Sequence, residues 1–119
     1  LVIADGNFPV MSMGKNAQII RMDGHGVPEI LDAILRVFPL DTYIEKPVNL
    51  MEVMPGDDVQ TPIWDVYKKT VEKYDERGKN AIGEIERFKF YEETKTAYAV
   101  IATSEKALYA NIMLQKGVV

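Results

Sequence analysis

Residues 97–102, with the sequence AYAVIA, constrain the fold more than any other segment, because both faces of the extended chain are apolar. Such a strand is typical of the interior of a sheet that is covered on both sides. Further strands are predicted at 2–4, 18–22, 48–54, 84–87 and 112–114. Helical patterns separate most of these strands, so we expect an α/β protein of one domain, with a mixed sheet between helical layers.

Three helical segments are predicted. The first begins near Pro28, which suits a first helical turn, and stops at Pro39. Its apolar stripe consists of Ile30, Leu31, Ile34, Leu35 and Phe38. The second begins after Thr61, an expected N-cap, and ends at Arg77-Gly78. Its apolar side chains at helical spacing are Trp64, Tyr67, Val71 and Tyr74. The third is a short helix or turn over 88–95.

The composition narrows the classes of partner and cofactor. The net charge is −4 and the 14 basic residues form no block, so neither nucleic acid nor an anionic membrane is an expected partner. The apolar stretches are shorter than a membrane span. The absence of cysteine excludes a disulfide scaffold and agrees with a cytoplasmic location. With one histidine and no cysteine, a zinc site made by this chain alone is not expected.

Polar residues at the predicted strand ends are the candidates for chemistry, although each also has an ordinary structural explanation. Asp5 follows the first strand, and by itself it favours an Asx-turn over Gly6-Asn7. Arg87 closes the fourth predicted strand and could form a surface ion pair. Tyr91 could be a core tyrosine with its hydroxyl at the surface. Residues 109–111 could be a turn before the last strand, and Asp41 an acceptor in a loop.

Taken together, these side chains are two tyrosines, two carboxylates, an amide and a guanidinium. No phosphate loop and no nucleophile with an adjacent base accompanies them. Such a set is better suited to hydrogen bonding with a neutral polyol than to binding an anion or a metal.

Five segments, in this order along the chain, carry a resemblance to a known family: LVIADGNFP, PLDTY, QTPIW, IERFKFYE and LYANIMLQKGV. The sequence resembles the L-fucose mutarotase family, which is related to D-ribose pyranase. The resemblance implies a ribose pyranase/fucose mutarotase-like domain over 1–119. It also implies an enzyme that interconverts the α and β anomers of L-fucose or a related free sugar without cofactor or metal. A homo-oligomeric ring, commonly a decamer, with sites near subunit contacts is implied as well.

The resemblance also implies roles for individual residues. Catalytic roles fall on Tyr91, Tyr109 and Asp41. Substrate-binding roles fall on Asp5, Asp41, Met51, Arg87, Tyr91, Tyr109, Ala110 and Asn111. In this assignment Met51 is an apolar residue that lines the pocket, and residues 109–111 hold sugar hydroxyls.

The family also has a Gly-His-Gly-Asp segment upstream of its first strand, with the histidine as proton donor. The sequence begins after that point, so we expect 1–119 to lack the family's usual N-terminal helix and histidine-containing loop. His25 lies in a Gly-His-Gly context, but it follows the second strand, and we expect a solvated loop histidine there.

Two other functions remain open from the sequence. One is exchange between the pyranose and furanose forms of D-ribose, with which the segment YANI is compatible, although FKFYE and PLDTY favour the fucose side. The other is a sugar-binding module without catalysis. A third interpretation, in which the strand-end polar residues only cap turns, does not account for five ordered motifs.

Overall fold

A computed structural model describes residues 1–118 of the chain. Its sheet has six strands: β1 (Val2–Ala4), β2 (Gln18–Met22), β3 (Val48–Met51), β4 (Ile82–Ile85), β5 (Ala99–Thr103) and β6 (Ile112–Leu114). The spatial order is β2-β5-β1-β6-β3-β4. The pairs β2–β5, β1–β5 and β3–β4 are parallel, whereas β6 is antiparallel to both β1 and β3. The predicted mixed sheet is therefore confirmed.

Four helices connect the strands: α1 (Val10–Met13), α2 (Val27–Leu35), α3 (Pro62–Tyr74) and α4 (Arg87–Thr94). A short 3-10 helix covers Gly78–Ala81. Side chains of α2 and α3 share one buried cluster with one face of the sheet, and side chains of α1 and α4 pack with the other face. The sheet thus lies between two helical layers, as expected.

Successive side chains of β1 point alternately into the two buried clusters on either side of the sheet. Ile3 packs with the α2 and α3 side, whereas Val2 and Ala4 pack with the α1 and α4 side. All three residues are fully buried. A strand buried on both faces needs apolar residues at every position, which explains the unbroken apolar run.

Several predicted boundaries were wrong. The first helix ends at Leu35, and Phe38 packs on the core from the following turn. Strand β3 ends at Met51 instead of 54. The β5 strand is shifted by about one to two residues, since it covers Ala99–Thr103. The side chain of Thr61 makes no capping hydrogen bond, and α3 ends at Tyr74, before the 3-10 helix. Helix α1 and the 3-10 helix were not predicted.

The correction at β4 affects a site residue. The strand covers Ile82–Ile85, so Arg87 is not its last residue. Glu86 is the N-cap of α4, and its carboxylate accepts hydrogen bonds from Phe88 N at 3.0 Å and Lys89 N at 3.1 Å. This cap turns the chain into a helix immediately after the strand, because it satisfies donors at the helix start. Arg87 therefore projects from the first turn of α4.

Candidate functional site

A cleft of about 280 Å³ lies at the carboxyl ends of the parallel strands β1 and β3. Because β6 is antiparallel to its neighbours, the residues before β6 reach the same edge of the sheet. The cleft is lined by Asp5, Asn7, Phe8, Met51, Asp57, Val59, Arg87, Tyr91, Leu108, Tyr109 and Asn111. Clefts outside the carboxyl ends of strands are the usual ligand sites of open α/β sheets.

Asp5 both closes an Asx-turn and lines the cleft, which are the two roles that the sequence left open. Its Oδ1 accepts a hydrogen bond from Asn7 N at 3.0 Å, which is the expected Asx-turn. Its Oδ2 lies 3.4 Å from Ala110 N, and the carboxylate also lines the cleft. Burial raises the pKa of Asp5, and the hydrogen bonds from backbone N–H groups oppose that shift. The turn geometry thus holds a buried carboxylate at the floor of the cleft.

Asn111 lies beside Asp5 in the floor of the cleft. Its Oδ1 accepts a hydrogen bond from Asp5 N at 2.7 Å, which fixes the orientation of the amide. Among residues 1–118 its Nδ2 donates to no protein acceptor, although the side chain is only 5% exposed. A fixed amide with a free donor at the cleft surface can bind a hydroxyl group.

Tyr109 has an unusual backbone conformation, with φ of +53°. Such a conformation is rare for a bulky residue and persists only where the surroundings impose it. Here Trp64 Nε1 donates to Tyr109 O at 2.8 Å, and Tyr67 Oη donates to Ala110 O at 2.6 Å. Helix α3 therefore holds the backbone before β6 in the geometry that directs the Tyr109 ring into the cleft.

The hydroxyl of Tyr109 is bound to the loop that follows β3. It donates to Asp57 Oδ2 at 2.6 Å and accepts from Met54 N at 3.3 Å. The hydrogen bond to Asp57 raises the pKa of Tyr109, so the phenol keeps its proton at neutral pH.

Arg87 and Tyr91 form another wall, both projecting from α4. Arg87 Nε donates to Tyr91 Oη at 3.0 Å, and the guanidinium carbon lies 5.6 Å from the centre of the Tyr91 ring. Phe8 packs edge-on against Tyr91, with 5.6 Å between ring centres. The pair therefore has a fixed geometry, and the cleft receives a positive charge from Arg87.

An apolar wall faces these polar groups. Phe8 and Met51 are nearly fully buried beneath the cleft, whereas Leu108 is half exposed at its rim. A monosaccharide has both hydroxyl groups and apolar C–H faces, so a small cleft with one polar and one apolar side suits it.

Two of the site residues assigned from the sequence do not line this cleft. Ala110 is fully buried, and it contributes its backbone N–H to Asp5 and its carbonyl to Tyr67. Asp41 lies at the opposite end of the sheet, where its backbone N–H donates to Gln115 O and its carboxylate accepts from Tyr43 N and Gln115 Nε2. Within one chain the fold does not bring Asp41 to the other site residues.

Five of the lining residues were not predicted from the sequence: Asn7, Phe8, Asp57, Val59 and Leu108. Asp57 lies in the Pro55-Gly56-Asp57 turn after β3, at the same sheet edge as Asp5. A position just after a strand was a usable signal for a site residue, but the prediction extended β3 to residue 54.

His25 lies outside the cleft, in the loop after β2. It is half exposed, and its Nδ1 lies 2.9 Å from Glu29 Oε1 on the first turn of α2. This arrangement agrees with a solvated loop histidine. Among residues 1–118, no three His, Cys, Asp or Glu side chains are grouped closely enough to hold a metal ion. None of the helices in that part of the chain has the length and hydropathy that crossing a membrane requires.

The fold and the cleft define an α/β protein with a small, partly polar cleft at the carboxyl ends of its strands. The chain belongs to the RbsD / FucU transport protein family, whose family model matches residues 1–119.

Individual relatives agree with this assignment. The human fucose mutarotase is 45% identical over 122 residues, which cover 99% of this chain and 78% of that protein. The crystal structure of FucU from Bifidobacterium longum superposes with a TM-score of 0.97 at 66% identity, over 99% of this chain and 84% of that one. The fucose mutarotase of Streptococcus pneumoniae, solved in complex with L-fucose, gives a TM-score of 0.91 at 43% identity, over 99% and 81% of the two chains.

Proposed function

We propose that this protein is a cofactor-independent mutarotase that interconverts the α and β anomers of L-fucose. The observation that carries the proposal is the cleft of about 280 Å³, a space of monosaccharide size that Tyr91, Tyr109 and Asp5 all line. Relatives with 43–45% identity are named fucose mutarotase, and one of them was solved with L-fucose. These names favour L-fucose over the D-ribose alternative.

Mutarotation requires two proton transfers at oxygens attached to the same carbon. The ring oxygen receives a proton and the anomeric hydroxyl loses one, so that the ring opens to an aldehyde. Rotation about the C1–C2 bond and closure on the other face give the other anomer. Positioned acid and base groups each accelerate such steps by about 10²–10⁴-fold.

The residues of the cleft have distinct tasks in this proposal. Tyr91 and Tyr109 exchange protons with the reacting oxygens, and Arg87 stabilises negative charge that develops on Tyr91. Asp5 and Asn111 bind hydroxyl groups at the floor of the cleft. Met51 packs against the methyl group of the 6-deoxy sugar, with Phe8 beside it.

We also propose that the protein works as a homo-oligomeric ring, with a decamer as the expected size, in the cytoplasm. Asp41 lies at the far end of the sheet from the cleft, so it could take part in catalysis only in the cleft of a neighbouring copy. Sedimentation of the protein together with the exchange rate of Asp41→Asn tests this idea. A fully active monomer would reject both the ring and the catalytic role of Asp41.

Saturation-transfer NMR on L-fucose tests the mutarotase function directly. We expect exchange between the anomer signals to accelerate with enzyme concentration, and exchange of D-ribose forms to accelerate less. Tyr91→Phe should lower the acceleration by about 10²-fold. Tyr98→Phe is the matched control, because Tyr98 is 83% exposed and lies outside the cleft.

Binding of L-fucose without accelerated exchange would favour the non-catalytic sugar-binding alternative. The upstream histidine implied by the family stays a prediction. Comparing exchange by the 119-residue chain with exchange by a chain extended upstream tests it.

A further inference from the structure

The two tyrosines of the cleft have opposite hydrogen-bonding arrangements. Tyr109 Oη donates its proton to Asp57 Oδ2 at 2.6 Å and accepts from Met54 N at 3.3 Å. Tyr91 Oη accepts from Arg87 Nε at 3.0 Å, and within residues 1–118 its own proton reaches no protein acceptor. A phenol has one proton to donate and two lone pairs. Tyr109 therefore has a free lone pair, whereas Tyr91 has a free proton.

We propose that Asp57 is a positioning residue that fixes the direction of the Tyr109 hydroxyl, so that Tyr109 acts as proton acceptor toward the anomeric hydroxyl of the sugar. The inference rests on the proposed function, and it concerns the half of the reaction in which the sugar loses a proton. Its basis is the geometry of the 2.6 Å hydrogen bond across the loop after β3.

The proton transfers balance without any further reactant. The anomeric hydroxyl gives its proton to Tyr109 Oη while the original Tyr109 proton moves to Asp57 Oδ2. The ring oxygen receives its proton from a separate acid, for which Tyr91 and the upstream histidine implied by the family are the candidates, as the bond from that oxygen to the anomeric carbon breaks and the aldehyde forms. Ring closure on the other face reverses both transfers and restores each group.

The electrostatics of the cleft agree with this role of Asp57. The hydrogen bond to Asp57 raises the pKa of Tyr109, while the positive charge of Arg87 has a smaller opposite effect. A tyrosine that holds its proton firmly can accept a second one only if it passes the first to another base. Asp57 is the carboxylate in contact with that proton, and it also lines the cleft.

Tyrosine labelled with ¹³C at Cζ allows the hydrogen-bond direction to be measured without any sugar. In Asp57→Asn, we expect the titration of Tyr109 to move down toward the ordinary tyrosine value of about 10, because the negative charge that holds its proton is removed. Asp58→Asn is the matched control, since Asp58 is the adjacent exposed carboxylate and does not line the cleft. An unchanged Tyr109 titration in Asp57→Asn would overturn the inference.

Kinetics test whether this arrangement matters for the reaction. Asp57→Asn should lower the exchange rate at saturating L-fucose by about 10- to 100-fold and change KM by less than about twofold, since the amide keeps an acceptor but is a very weak base. Asp57→Glu should restore part of the rate. In a Tyr109→Phe background, Asp57→Asn should have no further effect, because residues that act as a unit are not additive.

Equal losses from Asp57→Asn with and without the Tyr109 hydroxyl would show that Asp57 only shapes the loop, and would overturn the inference. If the unsubstituted protein failed to exchange L-fucose anomers, the proposed function would be rejected. The tyrosine titration would then still decide the direction of the hydrogen bond.

Discussion

Two polar clusters lie at opposite ends of the same sheet and contain nearly the same residue types. Each has an aspartate, an arginine and a side-chain amide, and in each the aspartate closes an Asx-turn. The cleft cluster consists of Asp5, Arg87 and Asn111, and the distal cluster of Asp41, Arg77 and Gln115. The amides come from the two ends of β6, since Asn111 precedes the strand and Gln115 follows it.

The clusters differ in how much of their hydrogen-bonding capacity the protein itself uses. Arg77 donates to Asp75 through Nε and Nη2, at 3.0 and 2.9 Å, and to the carbonyls of Ile44 and Asp41 at 3.1 and 3.0 Å. Within residues 1–118, the Arg87 side chain makes one hydrogen bond, to Tyr91. Donors that are free at a cleft can bind a ligand, whereas donors bound to the backbone hold loops together. The two clusters therefore differ in how many hydrogen-bond donors stay available for a ligand, and not in their residue types.

Replacing the two arginines gives the largest expected contrast. Arg87→Ala should lower the rate of L-fucose exchange by about 100-fold, because charge developing on Tyr91 loses its partner, and should change the free energy of unfolding by less than about 0.5 kcal/mol. Arg77→Ala should destabilise the fold by about 2–3 kcal/mol, since four hydrogen bonds are lost. Urea denaturation and saturation-transfer NMR measure the two effects. A large loss of stability in Arg87→Ala would contradict the distinction between the two arginines.

The amides should show a smaller contrast, in binding. Asn111→Ala should weaken L-fucose affinity about tenfold, equivalent to about 1.4 kcal/mol, because a sugar hydroxyl loses its donor. Gln115→Ala should leave the affinity unchanged, since Gln115 donates to Asp41 at the far end of the sheet. Isothermal titration calorimetry measures both. Equal affinity losses in the two variants would contradict the assignment of the cleft.

Asp5 of the cleft cluster and Asp75, which is bound to Arg77 of the distal cluster, should differ in the direction in which pH changes their contribution to stability. This is the smallest contrast expected. Arg77 lowers the pKa of Asp75, so the stability that Asp75 contributes is present above the ordinary aspartate pKa of about 3.8 and is lost as the pH falls through the lowered value. Burial raises the pKa of Asp5, so its contribution is present below about 3.8 and is lost as the pH rises through the raised value.

Urea denaturation between pH 3 and pH 7 measures how Asp75 and Asp5 each contribute to stability. Asp75→Asn should reduce the loss of stability on acidification, whereas Asp5→Asn should make the protein relatively more stable near neutral pH. If the slope of the unfolding free energy against pH changed in the same direction in both variants, the two carboxylates would not differ as the structure indicates.

The elements that could be predicted are those whose signal is local in the sequence. The strands predicted for β1, β2 and β6 matched residue for residue. In β1 the signal is an unbroken apolar run, because a strand buried on both faces needs apolar side chains throughout. Strand β2 lies at the edge of the sheet and is exposed or half-buried along its length. The helix predicted over 88–95 is present as α4, shifted by one residue. Helix α1 has four residues and no periodic pattern to detect. The end of β3 was misplaced because Val53 and Met54 are apolar but lie in a loop.

The site residues also fall into two groups: those whose position the sequence indicates and those that only the tertiary structure places. By itself, the sequence determined the fold class, the family, the placement of Asp5, Tyr109 and Asn111 next to strands, and that of Tyr91 on a short helix or turn, since strand periodicity and motif order are properties of neighbouring residues. Only the tertiary structure decided that Asp57 binds the Tyr109 hydroxyl, 52 residues away in the chain, and that Asp41 lies at the other end of the sheet. Those contacts depend on strand order and on the antiparallel direction of β6, which arise when distant segments pack together and leave no local signal.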